Sequence, residues 1–451
     1  METEGRRQNH KMMSNMDIPI LVIMEILLRL PAKSLVRVRY VCKTWYNIIS
    51  DPYFTRMHLA RAPTASLVIQ TLLSCNPGCY SKFYMLEHAE WDTRGHSSFA
   101  PLKKLPQKFY LLGQNMILLT SCNGLLCLSA VRHKKEVTCV CNIATGEYMT
   151  LPGAKTKDDR FWQTIRGFGY SPKTNQYKLI AELALDKGFR RPDFNPAPRV
   201  EVYTLGADSW RIIGDAPYSF VGPYFGTFLN GALHCLIQPI DTTDSTSTFI
   251  CSFDIEKEEF QPFPGPPIQD LGPNWEIEHI HLGASGGFLY LCENYPTSSS
   301  VDIWVMKEYG NEQSWMKEFV ISNTSWKRGP VYFLNYGMGD EIYALRNFNQ
   351  LCAYNARSKC FREVQVCGIY PEFHAIPYTP SLVSLKDAVA GEKSKGHIKN
   401  IQSLPKKKWV KKLYNFLLSA PFKAEALCGM ILPPPKVMGI RLPDPLLRQF
   451  E

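Results

Sequence analysis

Three histidines, His234, His281 and His374, lie in or beside apparent strands. Imidazole moves protons near neutral pH and binds transition metals, so these are the first candidates for chemistry. In such strand positions a hydrogen-bonded structural histidine outweighs a metal ligand. Tyr, Cys and His scattered along the strands supply the residue types of a copper oxidase site, yet nothing in their spacing argues for one. The run DIEKEEF, Asp254 to Phe260, concentrates carboxylates that a general acid–base pair would need. It reads instead as a charged hairpin with a solvated turn. Fourteen cysteines occur singly or in irregular pairs such as Cys75 and Cys79, Cys122 and Cys127, or Cys139 and Cys141, and none makes a zinc spacing. No G-x-S-x-G elbow, phosphate-binding glycine loop or H-E-x-x-H helix occurs. No catalytic residue, metal or cofactor is expected.

Those residues must be positioned by a large, mostly β body. A chain of 451 residues with 45% hydrophobic residues buries substantial cores and suggests two or three domains. Its 12% aromatic content, 29 Gly and 32 Pro favour strands and tight turns. The formal charge of +10 resembles a nucleic-acid signal until it is located. From Lys386 to Glu451 there are 13 Lys and Arg against 5 Asp and Glu, a net +8 that leaves +2 for everything before. A nucleic-acid face in the body is therefore not expected. The opening METEGRRQNHKMMSNMD has no apolar core of signal-peptide length, and no window reaches the ~18 apolar residues of a membrane span. The expectation is a cytoplasmic and/or nuclear protein with reduced cysteines.

From Ile18 to Leu59 the periodicity is helical. Asp17 and Pro19 open a series Ile20, Ile23, Met24 and Leu27 that Pro31 stops. A second series, Leu35, Val38, Val41, Cys42 and Trp45, continues into Ile48 and Ile49, and Asp51-Pro52 opens a last helix through Phe54, Met57 and His58. So few helical residues bury too little surface to stand alone.

After Arg61-Ala62-Pro63 the periodicity becomes strand-like until about Leu385. Glycine turns near Asn123, Gly167, Asn230, Gly286 and Gly339 are separated by roughly 44, 63, 56 and 53 residues, the spacing of four-stranded propeller blades. Cys141 to Pro152, Phe249 to Pro264 and Ala353 to Val366 are three copies of one half-unit. With a further unit at about 65 to 115, six blades are the simplest count, with five or seven open. Pro380 to Leu385 reads as a final strand that pairs into the first blade and closes the ring. The loops Asp186 to Pro198, Asp241 to Thr248 and Asn294 to Ser300 are the candidate recognition loops.

The ordered motifs Ile18-Pro19, EILLRLP, AKSL, VRYVCKTW, ISDP and HL resemble the F-box. NGLLCL, CNIATGEYMTLP and GFGYSPKTNQYKLI resemble the F-box-associated, kelch-like β-propeller domain of plant F-box proteins. The chain departs from the family pattern at Ile18, usually Leu, and in VRYVCKTW, commonly FRCVCKSW. The resemblance implies an α+β multidomain chain: a disordered N-terminus (1–16), an F-box (17–62), an all-β propeller (63–385) and a basic, partly disordered tail (386–451). It implies a non-catalytic substrate receptor of a Skp-cullin-F-box ubiquitin ligase, with Pro19, Ile26, Leu27, Leu30, Pro31, Leu35, Val41, Cys42 and Trp45 contacting the Skp-type adaptor or supporting that interface. The partners implied are the adaptor, a cullin through it, and an unknown target. A propeller scaffold outside any ligase and a propeller-borne enzyme are the alternatives. In the tail, KKKWVKKLYNFLL places Trp409, Leu413, Phe416 and Leu417 at near-helical spacing among lysines, which suits a nuclear localisation signal, a surface-binding helix or a solvated tail.

Overall fold

Prolines and short polar caps divide the N-terminal region into brief helices. The computed structural model describes residues 19–62, 66–71, 82–87, 98–100, 103–104, 117–132, 135–153, 161–185, 198–220, 226–239, 249–268, 280–294, 300–322, 331–336, 341–346, 350–366, 373–389 and 398–400. Helix α1 (Ile20–Leu28) starts at Pro19, whose carbonyl accepts from the amides of Val22 and Ile23. Asp17, expected to cap it, lies outside the described residues. Helix α2 (Ala32–Val38) starts at Pro31 in the same way, its carbonyl accepting from Ser34 and Leu35. The second apolar series is not one helix. Cys42 adopts extended dihedrals and its Sγ accepts from the amide of Trp45 at 3.4 Å, so a separate α3 (Lys43–Ser50) begins there. The apolar spacing runs through the break because both helices contribute to one core, which conceals it from periodicity. Asp51 Oδ1 accepts from Tyr53 N at 2.7 Å and opens α4 (Pro52–Arg61) with proline in its first turn, as the sequence indicates. Leu27, Leu28, Leu35, Val36, Val38, Ile48, Ile49 and Phe54 form the buried interior.

The chain divides into two units: the described part of the first is this helical region up to Ala62, and the second is a β unit over 63–404. The β unit is a six-bladed propeller. Blade 1 contains β1 (Ser66–Thr71), β2 (Lys82–Glu87) and β4 (Lys103–Lys104), while β3 (Ser98–Ala100) leaves it. Blade 2 is β5 (Ile117–Cys122), β6 (Leu125–Arg132), β7 (Lys135–Asn142) and β8 (Glu147–Thr150). Blade 3 is β9 (Phe161–Ser171), β10 (Gln176–Leu185), β11 (Arg199–Thr204) and β12 (Arg211–Asp215). In blade 4, β13 (Tyr218–Phe220) and β14 (Thr227–Leu229) share the inner side of β15 (Ala232–Pro239), followed by β16 (Ile250–Asp254) and β17 (Glu259–Phe263). Blade 5 is β18 (Ile280–Ser285), β19 (Phe288–Glu293), β20 (Ser300–Met306) and β21 (Trp315–Ser322). Blade 6 is β22 (Val331–Tyr336), β23 (Glu341–Arg346), β24 (Gln350–Asn355) and β25 (Cys360–Val366), with β3 added in parallel to β25.

The inner strand of blade 1 is β26 (Phe373–Tyr378), which pairs antiparallel with β1. Inner strands β26, β5, β9, β14, β18 and β22 then neighbour one another in a complete circle. Closure is therefore one segment earlier than the sequence suggests. Pro377, which cannot donate to a ladder, disguises β26 as a non-strand, yet an edge strand tolerates it. Residues 380–384 are extended without ladder pairing, and α5 (Leu385–Ala388) follows. This strap crosses blade 2: Ser381 Oγ donates to Asn123 O at 2.6 Å, and Leu385 N donates to Glu147 Oε2 at 2.8 Å. A further short strand, β27 (Lys399–Asn400), pairs with the outer edge of β8, beyond the Leu385 where strand-like periodicity stops.

Six apolar clusters fill the six interfaces between blades, as required of sheets that bury their faces only against neighbours. Asn123-Gly124, Asn230-Gly231 and Gly286-Gly287 have positive φ at both positions and make the two-residue turns of the inner hairpins. Gly167 is not a turn. It lies within β9, where an added Cβ would collide with Leu233 Cδ1 of the next blade, so its function is close approach. The three half-unit copies fold alike. Asn142, Asp254 and Asn355 each accept two amides of their own turn, and Gly146, Glu258 and Lys359 take the left-handed position four residues on.

Candidate functional site

The residues that the F-box resemblance marks for adaptor contact separate into two groups. Pro19, Ile26, Pro31 and Cys42 are exposed, and Val41 and Trp45 are half-buried. Leu27, Leu30 and Leu35 are buried inside the helical unit. Leu30 is further fixed by its backbone, since its carbonyl lies 2.8 Å from His58 Nε2, which must donate because a carbonyl only accepts. His58 is buried and stacks on Phe54, and burial holds its pKa below the ordinary histidine value. Its Nδ1 has no partner among the described residues. The exposed thiol of Cys42 already serves as a helix cap.

Sequence reasoning missed a second set. Ile20, Leu21, Tyr40, Tyr46 and Tyr53 are exposed, Leu21 at 70%. With Ile26 they make six of the twelve exposed large hydrophobic side chains among the described residues, on the smaller of the two units. Apolar side chains exposed on a small helical unit mark an interaction surface where they are contiguous. Tyr40 carried a signal, since it stands where the family pattern has Cys. The unit is closed elsewhere by Arg61, whose guanidinium grips Glu25 at 2.9 and 3.1 Å and lowers that carboxyl's pKa.

In the propeller the histidines bind other protein atoms. His234 Nδ1 donates to Thr227 O at 3.2 Å and Nε2 accepts from the Tyr309 hydroxyl at 2.9 Å, an arrangement that uses both nitrogens of the neutral ring. Burial lowers its pKa to about 4. His281, on the inner strand of blade 5, meets Tyr332 of blade 6 edge-on with ring centroids 5.2 Å apart. Its pKa also falls to about 4, through burial first and the charge of His374 second. His374, on β26, is held at about 4 by burial against the opposing pull of the Leu118 backbone. All three are neutral near pH 7 and pack across or beside blade interfaces.

The carboxylate run is the β16–β17 hairpin. Glu258 is more than a solvated turn residue: it joins Lys178 of blade 3, at 2.8 Å, and Arg211, which together keep its pKa low despite burial. Lys178 is itself buried and donates to Ile255 O at 2.9 Å, so the network ties two blades together. Burial pushes the Cys139 and Cys292 thiols up to about 12, which leaves them protonated and poorly nucleophilic. Among the described residues no three His, Cys, Asp or Glu side chains converge as a metal site, and no helix is long and apolar enough to cross a membrane. Most of each of the three candidate recognition loops, the N-terminal 1–16 and the tail motif around Trp409 lie outside the described residues.

Comparison with known proteins agrees with this division. A family model of the F-box domain matches residues 16–57, and one of the F-box associated beta propeller domain matches 86–385. The F-box protein At3g07870 of Arabidopsis thaliana is 28% identical over 321 residues, covering 67% of this chain and 72% of the relative. The F-box/kelch-repeat protein At3g23880 is 27% identical and covers 75% of this chain and 90% of its own length. The F-box protein At5g65850 is 30% identical, covering 72% and 76%. A helical unit that leaves large apolar side chains exposed, followed by a closed six-bladed ring, both matched by family models over most of the chain, places it among the F-box proteins that carry an F-box associated beta propeller domain.

Proposed function

We propose that the protein is the substrate-recognition subunit of a Skp-cullin-F-box ubiquitin ligase, acting in the cytoplasm or nucleus. The helical unit docks on a Skp-type adaptor and through it on a cullin. The propeller holds a target protein for ubiquitination. The observation that carries this reading is the set of exposed Ile20, Leu21, Ile26, Tyr40, Tyr46 and Tyr53 on a unit whose own core is otherwise filled. Its contribution to the reaction is proximity rather than chemistry: linked binding sites raise the effective concentration of one partner near another to the order of mM.

The test uses full-length protein. Leu21→Ser with Ile26→Ser, both at exposed positions, should leave the melting temperature unchanged and remove co-purifying adaptor and cullin. Undiminished recovery of both refutes docking through this face. Recovery of adaptor without cullin from the unmodified protein favours a propeller scaffold outside any ligase.

A further inference from the structure

Among the described cysteines, one pair faces each other across a strand ladder: Cys235 of β15 and Cys251 of β16. Facing residues of an antiparallel pair project to the same side of the sheet. The ladder hydrogen bonds set their spacing. Ile255 N donates to Gly231 O and Ile237 N donates to Phe249 O, so hydrogen-bonded pairs alternate along the two strands at 231/255, 233/253, 235/251 and 237/249. A pair of that type holds its Cα atoms about 5.5 Å apart, inside the roughly 4.4–6.8 Å that a disulfide spans. The thiols of blade 2 differ. Cys127 faces Thr120 and Val140, Cys139 faces Leu128, and Cys141 faces Leu126, all three fully buried.

The two facing sulfurs also differ in access. On the inner side of β15 the described pairing to β13 ends at Phe220 with Ile237, and that to β14 begins at Thr227 with His234, so the ladder is interrupted beside Cys235. Cys235 is half-buried there, and its Sγ packs against the backbone of Gly226, where an added Cβ would collide with it. Cys251 is buried, and its hydrogen bond with Cys235 and its burial keep its thiol well above the ordinary pKa.

We propose that Cys235 and Cys251 are a site of reversible oxidation, a dithiol that a hydroperoxide converts into a disulfide joining β15 to β16. The site is independent of adaptor docking. Cys235, the more accessible, attacks a peroxide oxygen as the thiolate; the O–O bond breaks, leaving a sulfenic acid on Cys235, and the departing hydroxide takes up the proton that the thiol released. The Cys251 sulfur then attacks the sulfenic sulfur, and its own proton leaves with the hydroxyl group as water. Two thiols and one hydrogen peroxide thus give one disulfide and two waters. Cys251 needs no solvent access, since the sulfur it attacks is its ladder neighbour. The bond ties together both stems of the connection between β15 and β16.

The sequence supplies a clean assay. No Lys or Arg lies between Arg211 and Lys257, so trypsin releases 212–257 as one peptide, in which Cys235 and Cys251 are the only cysteines. Full-length folded protein is treated with hydrogen peroxide, quenched with catalase, unfolded, alkylated and digested. The peptide should lose about 2 Da, take up no alkyl group, and recover two alkylatable thiols after dithiothreitol. In Cys251→Ser the sulfenic acid on Cys235 should persist and be trapped by dimedone, and in Cys235→Ser the Cys251 thiol should stay alkylatable. Two free thiols in the peptide at peroxide levels that oxidise the exposed Cys42 or Cys360 overturn the proposal. So does sulfinic acid on Cys235 of the unmodified protein with Cys251 still alkylatable, because Cys251 then fails to resolve it.

Discussion

Replacing Asn142 with alanine should loosen the strap that follows the closing strand. The Asn142 side chain is fully buried and makes four hydrogen bonds. Its Nδ2 donates to Ser381 O at 3.1 Å and Val383 O at 2.8 Å, and its Oδ1 accepts from Ala144 N at 2.8 Å and Thr145 N at 3.3 Å. At about 1 kcal/mol net per bond the loss is roughly 4 kcal/mol, and buried carbonyls left without donors raise it unless water enters. At about 2 °C per kcal/mol for a domain of this size, the propeller should melt roughly 6–10 °C lower. The repeat supplies its own control. Asn355 holds the equivalent turn in blade 6, accepting from the amides of Arg357 and Ser358 and from the Ser358 hydroxyl, with no strap bonded to it among the described residues. These bonds are exposed and water replaces them on truncation, so Asn355→Ala should cost only about 1–2 kcal/mol, as the loss of a local cap does. Differential scanning fluorimetry of the two variants, with limited proteolysis over 379–389, separates the contributions. Equal shifts for both, with the strap no easier to cleave in Asn142→Ala, would refute the idea that Asn142 anchors it.

Two further outcomes follow from the buried histidines. His234, His281 and His374 have folded pKa values of about 4 against about 6.5 when unfolded, so the unfolded chain binds up to three more protons between those values. Stability is fully present above pH 6.5 and is lost as pH falls toward 4, by up to about 4 kcal/mol per pH unit near pH 5. The lowered pKa of Glu258 adds a loss of the same sign in acid. Urea midpoints that stay flat from pH 7 to 5 would contradict this. Tyr309→Phe strips the donor from His234 Nε2 and should cost about 1–3 kcal/mol despite the exposure of the Tyr309 ring. An unchanged melting temperature would show that the hydroxyl is dispensable.

Much of the architecture was legible because the propeller repeats one local solution. Asn142, Asp254 and Asn355 head the same turn in three blades, and Asn-Gly or Gly-Gly pairs mark three inner hairpins, so spacing made six blades the simplest count while leaving five or seven open. Two features hid behind tertiary reasons. Gly167 looks like a turn because glycine is common there, whereas Leu233 of the next blade requires it. The closing strand contains Pro377, so the sequence places the strand one segment late, at 380–385, a tract that Asn142 and Glu147 hold without ladder pairing. The F-box presented a different difficulty. Its motif mixes residues that hold the helices together with residues that face out, and Leu30 and Pro31 are adjacent in sequence but buried and exposed in turn. Periodicity identifies the helices, but only packing separates the two roles.

That separation bears on how the two units differ. Every blade of the propeller finds a neighbour, and the ring leaves no inner face unpaired, so its stability is supplied from within. The helical unit has a filled core around Leu27, Leu35 and Phe54 but leaves large side chains such as Leu21 and Ile26 outside it. Fully burying such a side chain contributes about 1.5–3 kcal/mol, and forming a complex costs about 4–15 kcal/mol in lost freedom. One exposed residue does not reach even the lower end of that cost, whereas six acting together contribute about 9–18 kcal/mol, which spans most of it. The proposed docking is therefore a property of the set: substitution at one exposed position should weaken it in proportion, while substitution of Leu30, which belongs to the core, should abolish it through the fold. Surface variants, not core variants, are the ones that report on the partner.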